Sequence, residues 1–182
     1  LLFTALNTGS TMKGTLWELP NDLGGPEGDD SGNNNKTAER VNLKSIIDAE
    51  IGFLSDENKN RVVFESEDIE FLIDPNDFSM IIRNLLRNAC NYSELDKEIN
   101  VNLFKDKSSI VLSVVDKGRG IATSDHERVF ERFYRVDKGR SRSLGGTGIG
   151  LSIVKHAVDR NGGVIELDSV LGSGTTFTIK FE

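Results

Sequence analysis

Cysteine, proline and tryptophan are scarce in this chain of 182 residues, which contains one Cys, three Pro and one Trp. The single cysteine, Cys90, excludes a disulfide framework within the chain and is typical of a reducing compartment. Long apolar runs are missing as well, since none approaches the roughly 20 residues that a membrane-spanning helix needs. With 37% apolar and 28% charged residues, the composition is that of a globular domain. We expect this domain to be cytoplasmic.

Positive charge is the other deficit, because the formal net charge is −7. A surface of this sign repels nucleic acid and anionic membranes as a whole, so we expect no nucleic-acid partner. Positive groups do concentrate in one stretch, directly before a cluster of glycines: Arg128, Arg132, Arg135, Lys138, Arg140 and Arg142. A basic run alone is equally typical of a solvated face, whereas beside glycines it indicates an anion site.

The pattern along the chain separates three regions. Residues 20–40 are rich in Gly, Asn, Asp and Pro and contain little to bury, which predicts a flexible linker or a loop insertion. Residues 1–19, before it, are too short to form a domain. From Val41 onward the apolar spacing of helices and strands becomes regular, so the sequence predicts one domain over residues 41–182.

Within residues 41–182 the sequence predicts an α+β fold. A helix begins at Asp74–Pro75, a capping side chain followed by a proline suited to the first turn, and continues through FSMIIRNLLRNACNYS. EINVNLF and SIVLSVVD predict one β-hairpin, and VIELDS and TFTIKFE predict a second. Further helices are expected around SDHERVFERF and over LSIVKHAVDR. Together these elements predict a two-layer α/β sandwich, with a mixed, mostly antiparallel sheet covered by helices on one face.

Three asparagines share one stripe of the predicted long helix. Asn84, Asn88 and Asn91 fall beside its apolar face, whereas Arg83 and Arg87 point further out. Asparagine is a mediocre helix former, so three on one stripe carry a cost that needs a reason. The spacing leaves two interpretations open: a polar boundary of the core, or amide oxygens that reach a hard cation such as Mg²⁺.

A carboxylate and two glycines follow the most apolar predicted strand. Asp116 begins the sequence DKGRG, in which Gly118 and Gly120 permit close backbone approach and positive φ. Such a carboxylate can accept a hydrogen bond from an amino group, for example that of adenine, but Asp-x-Gly is equally common in plain turns. Further on, VFERFYRVD interleaves aromatic and basic residues. That pattern is typical both of an amphipathic helix that anchors a mobile loop and of ordinary core packing.

A second cluster of glycines precedes the last predicted helix. A dinucleotide fingerprint needs a strand before G-x-G-x-x-G, but a polar loop precedes Gly146, Gly148 and Gly150. A P-loop needs a lysine directly before Ser or Thr at the helix start, and that is also missing. Free backbone N–H groups and the helix dipole still favour phosphate at such a place. The sequence therefore predicts a lid loop that ends at a phosphate-binding helix N-terminus.

Taken in order, five motifs resemble those of one family. NLLRNACNYS, DKGRG, VFERFYRVD, GGTGIGLSIVK and GSGTTF are similar to the N box, first glycine box, F box, second glycine box and last glycine box of sensor histidine kinases. These boxes belong to the ATP-binding catalytic domains of two-component systems, members of the GHKL ATPase superfamily. The resemblance covers about residues 41–182. Each motif is weak alone, whereas all of them in this order are specific.

The resemblance implies a site for ATP and Mg²⁺. Asn88 matches the asparagine that coordinates Mg²⁺, and Asn84 matches its polar partner near the metal and the phosphates. Asp116 matches the carboxylate that bonds the adenine amine and selects ATP over GTP. Tyr92 matches the aromatic residue that packs on the adenine, and Thr175 is expected nearby.

The same resemblance assigns the pocket wall and the phosphate end. The wall is expected to include Gly118, Gly120 and Ile121. The phosphate end is expected to include Gly146, Thr147, Gly148, Ile149, Gly150 and Leu151. The F box and lid supply Arg135, Arg140 and Arg142, which can meet phosphates and which we group with Asn84 and Asn88 as the catalytic set.

Two departures from the family pattern bear on function. Asn91 stands where many members carry a lysine that contacts phosphate, so we expect the positive charge to come from the lid arginines and keep Asn91 among the nucleotide-binding residues. The family phosphorylates a histidine that precedes an acidic residue, on a separate two-helix dimerisation domain. Neither His126 nor His156 has that context, and we expect both to be structural. Residues 1–19 are expected to be the remnant of that dimerisation helix and a strand.

The resemblance also implies partners outside the chain. They are the protein's own dimerisation domain, which carries the acceptor histidine, and the receiver domain of a response regulator. We expect the parent protein to be a homodimer, and a membrane anchor on that parent is compatible with this expectation. We expect the isolated chain to be a monomer that does not phosphorylate itself. Another GHKL ATPase is an alternative, although gyrase-type enzymes carry a glutamate where Asn84 stands, and FERFYR favours histidine kinases over serine kinases. The substituted Asn91 leaves a nucleotide-binding scaffold as the other alternative.

Overall fold

The structure is a computed structural model, and it describes residues 38–136 and 147–182. In these two ranges the α-helices are α1 (Leu43–Gly52), α2 (Asp56–Lys59), α3 (Pro75–Tyr92) and α4 (Gly150–Arg160). The strands are β1 (Glu39–Asn42), β2 (Val62–Ser66), β3 (Glu70–Ile73), β4 (Ile99–Asp106), β5 (Ser109–Asp116), β6 (Val164–Val170) and β7 (Gly174–Phe181). The predictions for residues 1–37 and for Arg140, Arg142 and Gly146 lie outside the described residues.

Five strands form one sheet in the order β2-β4-β5-β7-β6. Strand β2 runs parallel to β4, and the other three pairs are antiparallel, including the hairpins β4–β5 and β6–β7. Strands β1 and β3 form a separate antiparallel pair, in which Glu39 pairs with Ile73. The predicted α+β fold with a mixed, mostly antiparallel sheet is confirmed.

Helix α3 is the centre of the helical layer, and one of its faces is continuously apolar and buried. Asp74 caps the helix by accepting hydrogen bonds from the backbone N–H groups of Asn76 and Asp77, and Pro75 occupies the first turn, as predicted. The buried face consists of Phe78, Ile81, Ile82, Leu85, Leu86 and Ala89. It packs, with Val154 and Val158 of α4, onto inward-facing residues of the central strands, so helices cover one face of the sheet.

The sheet register places four residues in one row across the strands. Val62 pairs with Ile99, Ile99 pairs with Asp116, and Asp116 pairs with Thr175. This row lies where β2 and β4 begin and β5 ends. The carboxylate of Asp116 is therefore at an edge of the sheet, next to the C-terminal end of α3 rather than in the middle of the core.

The helix expected over SDHERVFERF is wrong. The segment contains only two short 3-10 turns, Thr123–Asp125 and Arg128–Phe130, and Glu131 is already extended with ψ of 142°. Phe133 has φ of +66° and is 70% exposed, so it belongs to no apolar helix face. Its backbone N–H donates to the carbonyl oxygen of Gly148 at 2.9 Å, a contact that a continuous helix would not allow.

Phe130 supports the alternative that part of VFERFYRVD packs in the core, because its ring lies edge-on to Phe177 with the centroids 6.4 Å apart. The helix over LSIVKHAVDR is confirmed, and it ends at Asn161 and Gly162 as predicted, with Gly162 at φ of +73°. No helix in the described ranges is long and apolar enough to cross a bilayer.

Candidate functional site

The asparagine stripe of α3 meets the start of α4. The Asn84 side-chain N–H donates to the carbonyl oxygen of Met80 at 2.8 Å, which leaves Oδ1 of Asn84 to face α4. A Cβ added to Gly150 would lie 2.9 Å from this Oδ1. A larger residue at position 150 would displace the Asn84 amide, so two motifs far apart in sequence are in contact in the structure.

Asn88 lies one turn beyond Asn84 and is partly buried, as is Asn91. Among the residues that the structure describes, the Asn88 amide has no hydrogen-bond partner, in contrast to that of Asn84. Arg83 and Arg87 are exposed, as the spacing predicted. No cluster of three or more His, Cys, Asp or Glu that could hold a metal occurs over 38–136 and 147–182. The amide oxygen of Asn88 is of the ligand type that Mg²⁺ prefers, and this ion accepts few protein ligands together with phosphate oxygens and waters.

The end of the F box is held against the second glycine box. Gly148 has φ of +73°, and a Cβ on it would lie 2.9 Å from the carbonyl oxygen of Tyr134. Ile149, which precedes α4, provides no side-chain cap. The first N–H groups of α4 are therefore not satisfied by a capping side chain, and an anion can occupy that place. Thr147, shortly before α4, is exposed, and Leu151, in the first turn of α4, is partly buried.

Tyr134 connects the F box with the segment that precedes it. Its hydroxyl donates to Oδ1 of Asp125 at 2.9 Å, and the guanidinium of Arg128 lies 4.2 Å from the ring centroid. The hydrogen bond to Asp125 is the main cause that raises the pKa of Tyr134, so the phenol stays protonated. Arg135, one of the arginines predicted to meet phosphates, is partly buried directly after this tyrosine.

Asp116 is buried at the other end of the site, with 8% of its surface exposed. Its Oδ1 accepts the backbone N–H of Gly118 at 2.8 Å. Burial raises the pKa of this carboxyl; hydrogen bonds from the backbone of Gly118 and Thr175, and the charge of Arg61, only partly oppose that rise. The carboxylate is therefore an acceptor in a poorly solvated place, where a further donor from a ligand gains strength.

The first glycine box passes between the end of α3 and the β6–β7 turn. A Cβ on Gly118 would lie 2.3 Å from the carbonyl oxygen of Tyr92, and that oxygen also accepts the N–H of Arg119 at 3.2 Å. Gly120 has φ of +67°, and a Cβ on it would lie 2.0 Å from the carbonyl oxygen of Val170. The two glycines are required because a side chain at either position would push these backbones apart.

Ser169 is a buried residue beside the first glycine box that none of the five sequence motifs includes. Its buried hydroxyl accepts the N–H of Ile121 at 2.8 Å, donates to the carbonyl of Gly174 at 2.8 Å and lies 3.0 Å from Oγ1 of Thr175. It therefore connects the first glycine box with the start of β7. No sequence signal could have found it, because a serine in an alternating strand is unremarkable. Gly174 belongs to the last glycine box, GSGTTF. It has φ of +120°, and a Cβ on it would lie 2.1 Å from the carbonyl oxygen of Asp116.

The two histidines have different surroundings. The His126 ring Nε2 is 3.1 Å from the carbonyl oxygen of Ile121, and His156 is exposed on α4. The structure thus forms two groups of candidate site residues along α3. One group is Asn84 with Gly150, and the other is Tyr92 with Asp116, Gly118 and Thr175.

This arrangement is that of an ATP-binding domain. The family described as histidine kinase-, DNA gyrase B-, and HSP90-like ATPase matches residues 73–182, which include α3, all three glycine boxes and the last hairpin. The chain belongs to this family. The resemblance that the five boxes indicated is confirmed, and within the family the relatives below are sensor histidine kinases.

The curated relatives share the domain but are longer proteins. The chain is 50% identical over 98 residues to the sensor-like histidine kinase SenX3 of Mycolicibacterium smegmatis, covering 54% of this chain and 26% of that protein. It is 36% identical over 149 residues to SenX3 of Mycobacterium tuberculosis, covering 75% and 36%. It is 42% identical over 113 residues to the sensor histidine kinase WalK of Bacillus subtilis, covering 61% and 18%. The chain therefore spans roughly a third or less of each relative's length.

Solved structures agree with the fold. The mycobacterial sensor histidine kinase MprB has a TM-score of 0.66 at 27% identity, covering 79% of this chain and 96% of that one. The catalytic domain of histidine kinase ThkA has a TM-score of 0.69 at 22% identity, covering 79% and 94%, and supports the fold alone.

Proposed function

We propose that this chain binds Mg·ATP along α3 and that, within its parent protein, it presents the γ-phosphate to a histidine on a separate dimerisation domain. The phosphoryl group then passes to an aspartate of a response regulator. The observation that carries this proposal is the close approach of Asn84 Oδ1 to Gly150, which unites the asparagine stripe with a helix N-terminus suited to phosphate. The relatives' names as sensor histidine kinases support it.

The nucleobase end selects adenine. The buried Asp116 carboxylate accepts a hydrogen bond from the exocyclic amino group of adenine; guanine presents a carbonyl oxygen there, which an acceptor repels. Tyr92 packs on the base, Thr175 lies beside Asp116, and Gly118, Gly120 and Ile121 form the wall. A buried acceptor discriminates strongly because a ligand that leaves it unpaired loses the compensation for its desolvation.

The phosphate end neutralises charge and positions the reacting group. The N-terminus of α4, with Thr147, Gly148, Ile149 and Gly150, receives the phosphates, and Arg135 adds a positive charge. Arg140, Arg142 and Gly146 are assigned to the same role from the sequence. Asn88 holds Mg²⁺, with Asn84 and Asn91 alongside; when bound, the ion supplies charge neutralisation and orientation of the phosphate oxygens.

The nucleophile comes from another domain. His126 is engaged with the carbonyl of Ile121, and His156 lies on the outer side of α4, so neither is assigned as the acceptor. An imidazole nitrogen on a dimerisation domain attacks the γ-phosphorus, the bond to the β–γ bridging oxygen breaks and ADP leaves, while the groups of this chain hold the triphosphate in line. The parent protein is accordingly a homodimer with a cytoplasmic catalytic domain, and this chain alone is a monomer.

A phosphotransfer assay tests this proposal. The full chain is mixed with the separately prepared dimerisation domain of the parent and with Mg·ATP that carries a radiolabelled γ-phosphate. We expect acid-labile, alkali-stable label on the dimerisation domain and none on the chain alone, and we expect Asn88→Ala to abolish the label. ATP binding without transfer would favour the scaffold alternative. A chain that binds no ATP would contradict the proposal altogether.

A further inference from the structure

Arg61 is a buried arginine that no sequence motif singled out. It lies directly before β2 with 6% of its surface exposed, and its carbonyl oxygen accepts the N–H of Ile99 at 2.9 Å. The structure pairs it with no carboxylate within residues 38–136 and 147–182, and its buried Nη1 has no partner there. Burying a guanidinium without a carboxylate partner costs free energy. A functional role for Arg61 would explain why the fold keeps it in this position.

The side chain of Arg61 binds the segment that follows α3. Its Nε donates to the carbonyl oxygen of Lys97 at 2.8 Å, and its Nη2 donates to the hydroxyl of Ser93. Ser93 caps the C-terminus of α3, because both its backbone N–H and its hydroxyl donate to the carbonyl of Ala89. Arg61 therefore holds the last turn of α3 at the point where Tyr92 meets the first glycine box.

Arg61 is also close to Asp116 in the sheet. It precedes Val62, which begins the row that continues through Ile99 to Asp116. Two strand spacings of about 4.8 Å separate the backbones of Val62 and Asp116, so Arg61 and Asp116 belong to the same edge of the sheet. Among the charged groups that the structure describes, Arg61 is the one whose charge opposes the effect of burial on Asp116.

We propose that Arg61 is a positioning residue for adenine selection: through Ser93 and Lys97 it fixes the C-terminal turn of α3, where Tyr92 meets the first glycine box. This rests on the proposed function, since it takes Asp116 as the acceptor of the adenine amino group. Arg61 itself does not touch the nucleotide. It acts through Tyr92, whose carbonyl supports Gly118 and Arg119.

The test measures the dissociation constants of ATP and GTP for the full chain by calorimetry. Arg61→Met removes the charge and the donors at similar volume, and we expect it to weaken ATP binding about tenfold, as for loss of a charge-assisted hydrogen bond, with little change for GTP. Arg61→Lys keeps the charge and is expected to restore part of the ATP preference. Ser93→Ala keeps Arg61 and removes its hydroxyl partner, and is expected to lower the preference by a smaller factor.

Arg160→Met is the matched control. Arg160 also binds a buried partner, Asp77, but at the opposite end of α3, so its loss should lower the melting temperature without changing the ratio of ATP to GTP affinity. A folded Arg61→Met variant with an unchanged ratio, or an equal change in Arg160→Met, would overturn the inference. If Arg61→Met does not fold, an unchanged ratio in Ser93→Ala overturns it. A wild-type chain without preference for ATP would instead refute the proposed function on which the inference rests.

Discussion

Gly118 lies so close to Tyr92 that a Cβ on the glycine would be 2.3 Å from the tyrosine carbonyl oxygen. The contact is between a loop and the last turn of α3, so it fixes the first glycine box against the helix that carries the asparagines. Neither backbone can move aside alone, since the same carbonyl accepts the N–H of Arg119 and Gly118 donates to Asp116. The nucleobase end of the site is therefore sensitive to one added methyl group.

Gly118→Ala is expected to lower the free energy of unfolding by about 1–3 kcal/mol and to weaken ATP binding, because the methyl group forces α3 and the loop apart. Urea unfolding and calorimetric titration measure the two effects. Gly52→Ala is the control: nothing lies within 4 Å of its Cβ position at the end of α1, so it should change neither ATP binding nor stability by more than about 1 kcal/mol. Wild-type ATP affinity in Gly118→Ala would contradict the arrangement.

Asn88→Ala is expected to remove the dependence of ATP affinity on Mg²⁺, because the partly buried, uncommitted amide oxygen is the proposed metal ligand. The measurement compares ATP dissociation constants with Mg²⁺ and with EDTA. In the wild type we expect a gain of about tenfold or more with Mg²⁺, the size of one charge-assisted contact. Arg87→Ala, an exposed neighbour on α3, is expected to keep the full gain. An Mg²⁺ effect that persists in Asn88→Ala would exclude this residue as the ligand.

Asp116→Asn tests the role of this carboxylate in the preference for ATP over GTP. The variant is expected to lose much of the preference for ATP over GTP, because an amide can donate as well as accept and so no longer excludes the guanine carbonyl. Calorimetry with both nucleotides measures this effect. An unchanged preference would argue against the role of the carboxylate.

The same variant has a defined pH signature. The folded-state pKa of Asp116 is raised above its ordinary value of 3.8, so the folded protein binds this proton more tightly than the unfolded chain does. The contribution of Asp116 to wild-type stability therefore declines as the pH rises from 3.8 through the folded-state pKa, and Asp116→Asn lacks this decline. Urea unfolding across this range should show the variant gaining on the wild type as the pH rises. A wild type that gains on the variant instead would reverse the sign of the assigned shift.

Glu50→Gln tests the ion pair that joins α1 to α3. Glu50 is buried, and Arg83 donates to its two oxygens at 2.8 and 3.0 Å, while Ser79 also donates to it. Burial acts to raise the pKa of Glu50, but the hydrogen bonds from Arg83 and Ser79 together with the Arg83 charge outweigh it, so the pKa is lowered. We expect the variant to be about 1–3 kcal/mol less stable at pH 7.

The stability that Glu50 contributes is fully present above its ordinary pKa of 4.5 and is lost as the pH falls through the lower folded-state value. The difference between wild type and Glu50→Gln should therefore shrink in acid, as followed by urea unfolding at several pH values. ATP affinity should stay at the wild-type level, because the pair lies on the side of α3 away from the nucleotide residues. An equal destabilisation at every pH would show that the lost contact is not electrostatic.

The sequence predicted α3, its cap and both hairpins because these depend on local patterns. Asp74 and Pro75 define a helix start, apolar residues at helical spacing define its buried face, and alternation in TFTIKFE defines a strand. The same local logic failed for residues 124–133, where apolar and charged residues had helical spacing. There the backbone N–H of Phe133 donates to the carbonyl oxygen of Gly148, in another part of the chain, instead of to a carbonyl one helical turn earlier.

By itself the sequence determined the family, the fold class and the chemical types at the site: amide oxygens on a helix, a carboxylate after a strand, and glycines before a helix. Those follow from residue identity and short-range spacing. Only the tertiary structure decided that Asn84 meets Gly150, that Tyr92 contacts Gly118, that Arg61 binds Ser93 and that Ser169 binds Ile121. The physical reason is that such contacts join residues far apart in the chain. They exist only when the packing of α3 and α4 on the sheet brings their backbones together.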